Sequence, residues 1–353
     1  MDSQFIEPQK SNLNKLARDA SKKLDIVFKR CLNATNENIL IVGDKGIAGQ
    51  EISMVLSHAY YLTAKRLGFS CNMALQNQKT RGQEADENIV KALKNLRKNS
   101  IIIANQSDKM GSLNDLGRSF RKLCKEKGHR FISTSSLGYI YTEKIIDVIN
   151  AIDIDYDEAI KEHAKLKEIL DNGEKVHITT KAGTDLKIDI KGAKARSADG
   201  IYHEPGTGGN LPAGEVYIPP VNASGKVVID GSSRNRFNTR LTNKNPITMK
   251  VVKGKVKKII DGDNAHQLED SLAWAESRAK YPERIRTLGE LGIGLNKKAS
   301  IIGTTIVDEK AYGTAHVAIG SNSWFGGRIK TIIHLDQVFR EPVIEVDGER
   351  IKV

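Results

Sequence analysis

Cysteine is scarce in this chain. Three occur in 353 residues, Cys31, Cys71 and Cys124, with no CxxC spacing among them. That excludes a disulfide framework and a thiolate metal site. Aromatic residues are also few, at 5%. The net charge of +12 would suit a nucleic-acid binder, but the lysines are spread through both halves and no stacking platform or recognition helix accompanies them. No nucleic-acid partner is expected. Long apolar runs are missing too: ILIV (39–42) and IIIA (101–104) are far too short to cross a bilayer, which argues against a membrane partner. The opening MDSQFIEPQK is polar and lacks a signal core, so a cytoplasmic location is expected.

What is present describes a globular chain, with 39% hydrophobic and 28% charged residues. At about 150 residues per domain, the length implies two. In the first part, Leu13, Leu16, Ala17, Ala20, Leu24 and Val27 lie at helical spacing, predicting a helix over 12–32. Then come the strand ILIV, a glycine turn, a long helix ending at Gly68, the strand SCNMAL, a helix over 86–98, the strand SIIIAN, a helix over 113–127 and the strand RFIST. That alternation predicts a Rossmann-like α/β domain with a parallel sheet over residues 1–170. The turn glycines Gly43, Gly46 and Gly49 fit neither GxGxxG nor a Walker loop, so no nucleotide is assigned to them.

A connecting helix is predicted over 153–172, with His163 on its solvated side. Beyond it, composition changes. Seven of the eight prolines follow residue 200, and 21 of the 30 glycines lie at or after residue 173. Turn-rich segments with strand alternation, interrupted by one helix at 265–280, predict a mainly β (α+β) metal-binding domain over 171–353.

Within that domain, GELGIG (289–294), DEKAYGTAHVAIG (308–320) and IHLDQ (333–337) gather His316, His334, Glu290, Glu309 and Asp336 into short apolar segments broken by glycine. On a strand, His334 and Asp336 share one face while Ile333 and Leu335 take the other. His, Asp and Glu without cysteine are ligands for Zn, Mn, Co or Fe(II).

The ordered series GTDLKIDIKG (183–192), NLPAGEVYIPP (210–220), GELGIG, DEK with GTAHVAIG, and HLD resembles the thermophilic metallo-aminopeptidases of the aminopeptidase T and aminopeptidase S type. The resemblance implies a homodimeric hydrolase acting on peptides. It also implies a dinuclear site (Zn, Co or Mn) held by Glu215, Glu290, His316, His334 and Asp336. In that reading Glu290 bridges the ions and Glu290 or Glu309 does the proton work. Two features depart from that family: GSNSWFGG, with Ser323 and Trp324, stands where its members carry a tyrosine, and the run from His316 to His334 is short. A more distant resemblance is to a ring-cleaving dihydroxypyridine dioxygenase with one Fe(II), and it implies His316, His334 and Asp336 as a facial triad.

Overall fold

The computed structural model describes residues 11–117, 119–260 and 262–352. The reading of MDSQFIEPQK as a polar leaderless start lies outside them. The chain forms two units: one from the segment up to Tyr156 with Gly200–Ala213, the other from Asp157–Asp199 with Gly214 onwards. Among the described residues no helix is long and apolar enough to cross a membrane.

The first unit is built on a parallel sheet in the order Cys71–Gln76, Ile39–Asp44, Ile101–Asn105, Arg130–Thr134, Gly208–Asn210. Every residue of Ile39–Asp44 and Ile101–Asn105 is buried. That is why these strands read as unbroken apolar runs rather than alternating ones. The helices Ile52–Arg66, Glu87–Lys94 and Phe120–Lys127 follow the strands.

Three of the predicted helices in this unit differ from their patterns, and the one predicted over 86–98 ends at Lys94. The first is α-helical over Ser11–Ser21 and, after a turn, continues as a π-helix over Val27–Cys31. At that turn the Ser21 carbonyl, which a continuing helix would pair with an amide, accepts from Thr63 Oγ1 (2.9 Å) and Arg66 Nη2 (2.9 Å). The fourth begins at Phe120 because Gly117, at φ +97°, turns the chain after a 3-10 turn at Asn114–Leu116.

The second unit carries two antiparallel seven-stranded sheets. One runs Lys255–Ile260, Ile247–Val252, Asn222–Ile229, Asp185–Asp189, Lys175–Thr179, Val343–Val346, Glu349–Ile351. The other runs Thr239–Leu241, Ser232–Arg234, His334–Arg340, Thr314–Gly320, Leu288–Gly294, Glu215–Ile218, Arg196–Ala198. Alternate residues of both sheets meet in one core. Ile178, Leu186, Ile188 and Val227 come from the first, Leu291, Ile293, Val317 and Leu335 from the second, and Leu268 and Leu272 from the helix Gly262–Glu276. The α/β domain followed by a mainly β domain is therefore the observed architecture.

His163 corrects an expectation. It is buried on the helix Tyr156–Asn172, with Nδ1 2.9 Å from Ser197 Oγ. Its charged neighbours in sequence lie on the other sides of the helix, so adjacency along the chain misplaced it.

Leu291 lies directly beneath the face described next, fully buried in the shared core. Replacing it by alanine is expected to cost about 2–5 kcal/mol, read as a lowered urea midpoint at an unchanged slope. A loss under about 1 kcal/mol would mean that this sheet face is not packed as described.

Candidate metal centre

Four neighbouring strands of the second sheet place one row of side chains on the face opposite the core. Directly opposed residues in an antiparallel ladder point to the same side. Glu290 stands opposite Ala318, and Ala318 opposite Asp336. Gly320 faces His334, Gly292 faces His316, and Gly294 faces Glu215. Glu215, Glu290, His316, His334 and Asp336 therefore share a face because of ladder register, although they span more than a hundred residues of sequence. The glycines of GELGIG are part of this arrangement. A Cβ on Gly292 would lie 2.1 Å from His316 Cε1, so the imidazole stands where that side chain is missing.

The distances are those of a donor cluster. His334 Nε2 lies 3.1 Å from Asp336 Oδ1 and 3.4 Å from Glu290 Oε2. His316 Nε2 lies 3.3 Å from Glu290 Oε1 and 3.6 Å from Glu215 Oε2. Glu290, His316 and Asp336 each bring a donor atom within 4.8 Å of the others, and so do Glu215, Glu309 and His316. His334 is oriented from behind: its Nδ1 is 2.8 Å from the Ser321 carbonyl, which fixes the proton there and leaves Nε2 for the cluster. Trp324 meets the same imidazole edge to face, with ring centroids 4.8 Å apart, and is otherwise exposed.

Burial and charge compete in this pocket. Burial alone would lower both imidazoles, but Glu290, Glu215 and Glu309 raise His316 to about 9, and Asp336 and Glu290 raise His334 to about 10. Burial works to raise Asp336, yet His334, His316 and Lys310 hold it well below the usual carboxylate range. Glu309, at the end of the short helix Thr305–Asp308, is pushed by burial to about 8 despite Lys310 beside it.

Lys310 is the member of this site that the sequence reading passed over. It is buried, and its ammonium donates to both Glu215 Oε1 and Glu309 Oε1. The available signal was a lysine within a stretch whose other positions are apolar, small or potential ligands. Asp308, also fully buried, has a structural part: it accepts from the Ile302 amide at 2.7 Å and from the Gly303 amide at 3.2 Å.

A sequence profile of the NicX family, 2,5-dihydroxypyridine 5,6-dioxygenase, matches residues 150–353. The chain belongs to this family. A curated 2,5-dihydroxypyridine 5,6-dioxygenase of Pseudomonas putida KT2440 is 26% identical over 195 residues, 52% of this chain and 54% of the relative. The chain thus spans about half the length of the curated relative it matches. A solved structure of 2,5-dihydroxypyridine dioxygenase from the same organism superposes with a TM-score of 0.67, at 18% identity, over 98% of this chain and 97% of that one. At that identity the likeness shows a shared fold.

Membership of the NicX family overturns the aminopeptidase expectation. The profile and both relatives name a dioxygenase, and none names a peptidase. The hydrolase activity and the peptide substrate fall with it. The motif order misled for a physical reason: GELGIG, HxAxG and HxD specify a ladder that gathers potential metal ligands on one face, and that ladder does not choose the reaction. In this NicX-family chain the pocket offers two groups of potential metal ligands.

A divalent ion bound through His316 and His334 would displace their protons, so apparent metal affinity at these imidazoles is expected to rise with pH up to about 9 to 10. The same sign governs the metal-free fold. Stabilisation from the charged imidazoles is complete below about 6.5 and is lost as pH climbs through about 9 and then 10. Calorimetric titration with Mn(II) at stepped pH checks this, and an affinity flat from pH 6 to pH 8 would contradict it.

Proposed function

We propose that the chain is a metal-dependent ring-cleaving dioxygenase whose substrate is a dihydroxylated nitrogen heteroaromatic, with 2,5-dihydroxypyridine as the first compound to test. One observation carries this reading: buried imidazole and carboxylate donors, with no sulfur, converge on one sheet face of a NicX-family chain. Such a donor set suits a single Fe(II), with His316, His334 and Asp336 as ligands and Glu290 beside them. The fit has support in the pocket itself. Buried Glu215 Oε2 and His316 Nδ1 make no hydrogen bond, and the imidazoles are charged only because carboxylates surround them. When bound, the ion supplies the redox and Lewis-acid chemistry that brings O₂ and a ring hydroxyl together.

The chain's own residues do the rest. The Ser321 carbonyl holds the Nδ1 proton of His334 and so aims Nε2. Glu290 is placed between the two imidazoles, with one oxygen 3.3 Å from His316 Nε2 and the other 3.4 Å from His334 Nε2, and so holds both rings toward the same point. Burial raises Glu309 to about 8 against the pull of Lys310, so its carboxyl takes up a proton more readily near neutral pH than an exposed glutamate does. Trp324 offers an exposed aromatic surface next to His334, suited to a flat ring.

Loaded with Fe(II) without oxygen and then mixed with air-saturated buffer, the chain is expected to consume 2,5-dihydroxypyridine and O₂ in equal amounts. Folded, iron-loaded protein that leaves both unchanged would sink the reading. Replacing Trp324 by alanine should raise KM for the ring substrate roughly 2- to 10-fold with little change in kcat, because an aromatic pair contributes about 0.5–1.5 kcal/mol. An unaltered KM would remove Trp324 from the substrate surface.

A further inference from the structure

Lys310 is the one lysine buried among the described residues, and it lies inside a set of metal-ligand atoms. Glu215, Glu309 and His316 bring donor atoms within 4.8 Å of one another. The Lys310 ammonium donates to one oxygen of each carboxylate. The second oxygen of Glu215 is buried without a hydrogen bond and lies 3.6 Å from His316 Nε2. The backbone on either side is pinned: the Lys310 amide donates to the Val307 carbonyl at 3.0 Å, and its carbonyl accepts from Asn296 at 2.8 Å. The ammonium is therefore held in place rather than merely nearby.

An ammonium and a divalent cation make the same demand on two buried carboxylates, which is positive charge within reach of their oxygens. Only one of the two can sit there. We propose that Lys310 takes the place of a second divalent cation at Glu215 and Glu309, so that a pocket with donors for two cations holds one metal. This rests on the one-metal reading of the preceding section and adds the residue that limits the count. Without the lysine, Glu215 and Glu309 are left as a pair of buried carboxylates next to the group Glu290, His316 and Asp336, with the His316 imidazole common to both surroundings.

The test compares metal content per chain, by elemental analysis after loading with Mn(II) and desalting, in the wild type and in Lys310→Met. One equivalent more in the variant is the expected result. Equal content in the two folded proteins, or two equivalents in the wild type, overturns the proposal. A wild type with none and a variant with one would overturn the one-metal reading while keeping Lys310 as the group that excludes a cation from Glu215 and Glu309. If Lys310→Met unfolds in chelator, a divalent ion is expected to restore its circular dichroism, and failure to do so at any metal concentration overturns the proposal. The double variant Glu215→Gln with Lys310→Met removes the buried charge in balance and should return to wild-type content, whereas an extra equivalent there counts against Glu215 as a ligand and against the proposal.

Discussion

Three buried carboxylates, Glu215, Glu290 and Asp336, share the outer face of the second sheet, and Glu309 joins them from the end of the helix Thr305–Asp308. Ionised carboxylates cannot be packed together away from water without nearby positive charge. In this structure that charge comes from Lys310 and from protons on His316 and His334. Much else in the second unit follows from this requirement. The imidazoles carry protons they would lose in an ordinary apolar core, and Glu309 is pushed toward its neutral form.

The scaffold that tolerates this charge is ordinary sheet physics. Period-two alternation sends Leu291, Ile293, Val317 and Leu335 into the core and leaves the opposite face for polar groups. Shared apolar burial stabilises the sheet independently of what the polar face holds, so a costly cluster can persist. Ladder register then decides which polar groups meet. A slip of one residue in Thr314–Gly320 would turn His316 into the core and Val317 toward Glu290.

The motifs that suggested a peptidase do not fix the chemistry, and what departs from that expectation lies in particulars. Trp324 beside His334 supplies an aromatic surface where the peptidases are expected to carry a tyrosine. Lys310 sits between two of the carboxylates that the dinuclear reading assigned to metal or proton work, Glu215 and Glu309. Neither change disturbs the glycines, the strand pattern or the donors, so a reading built on those features stays the same while the chemistry changes.

Local pattern alone made much of this protein legible. Unbroken apolar runs marked the strands Ile39–Asp44 and Ile101–Asn105, and alternation placed His334 and Asp336 on one face with Leu335 on the other. Those are consequences of backbone period, which a sequence carries within a few residues. One partner of Lys310 lies 95 positions away, at Glu215, and the Ser21 carbonyl at the end of the first α-helix is taken by side chains 42 and 45 positions further on. No local pattern encodes such meetings. They arise when strands and helices pack, and packing decided where the first helix ends, that His163 is buried, and that a lysine occupies the carboxylate pocket.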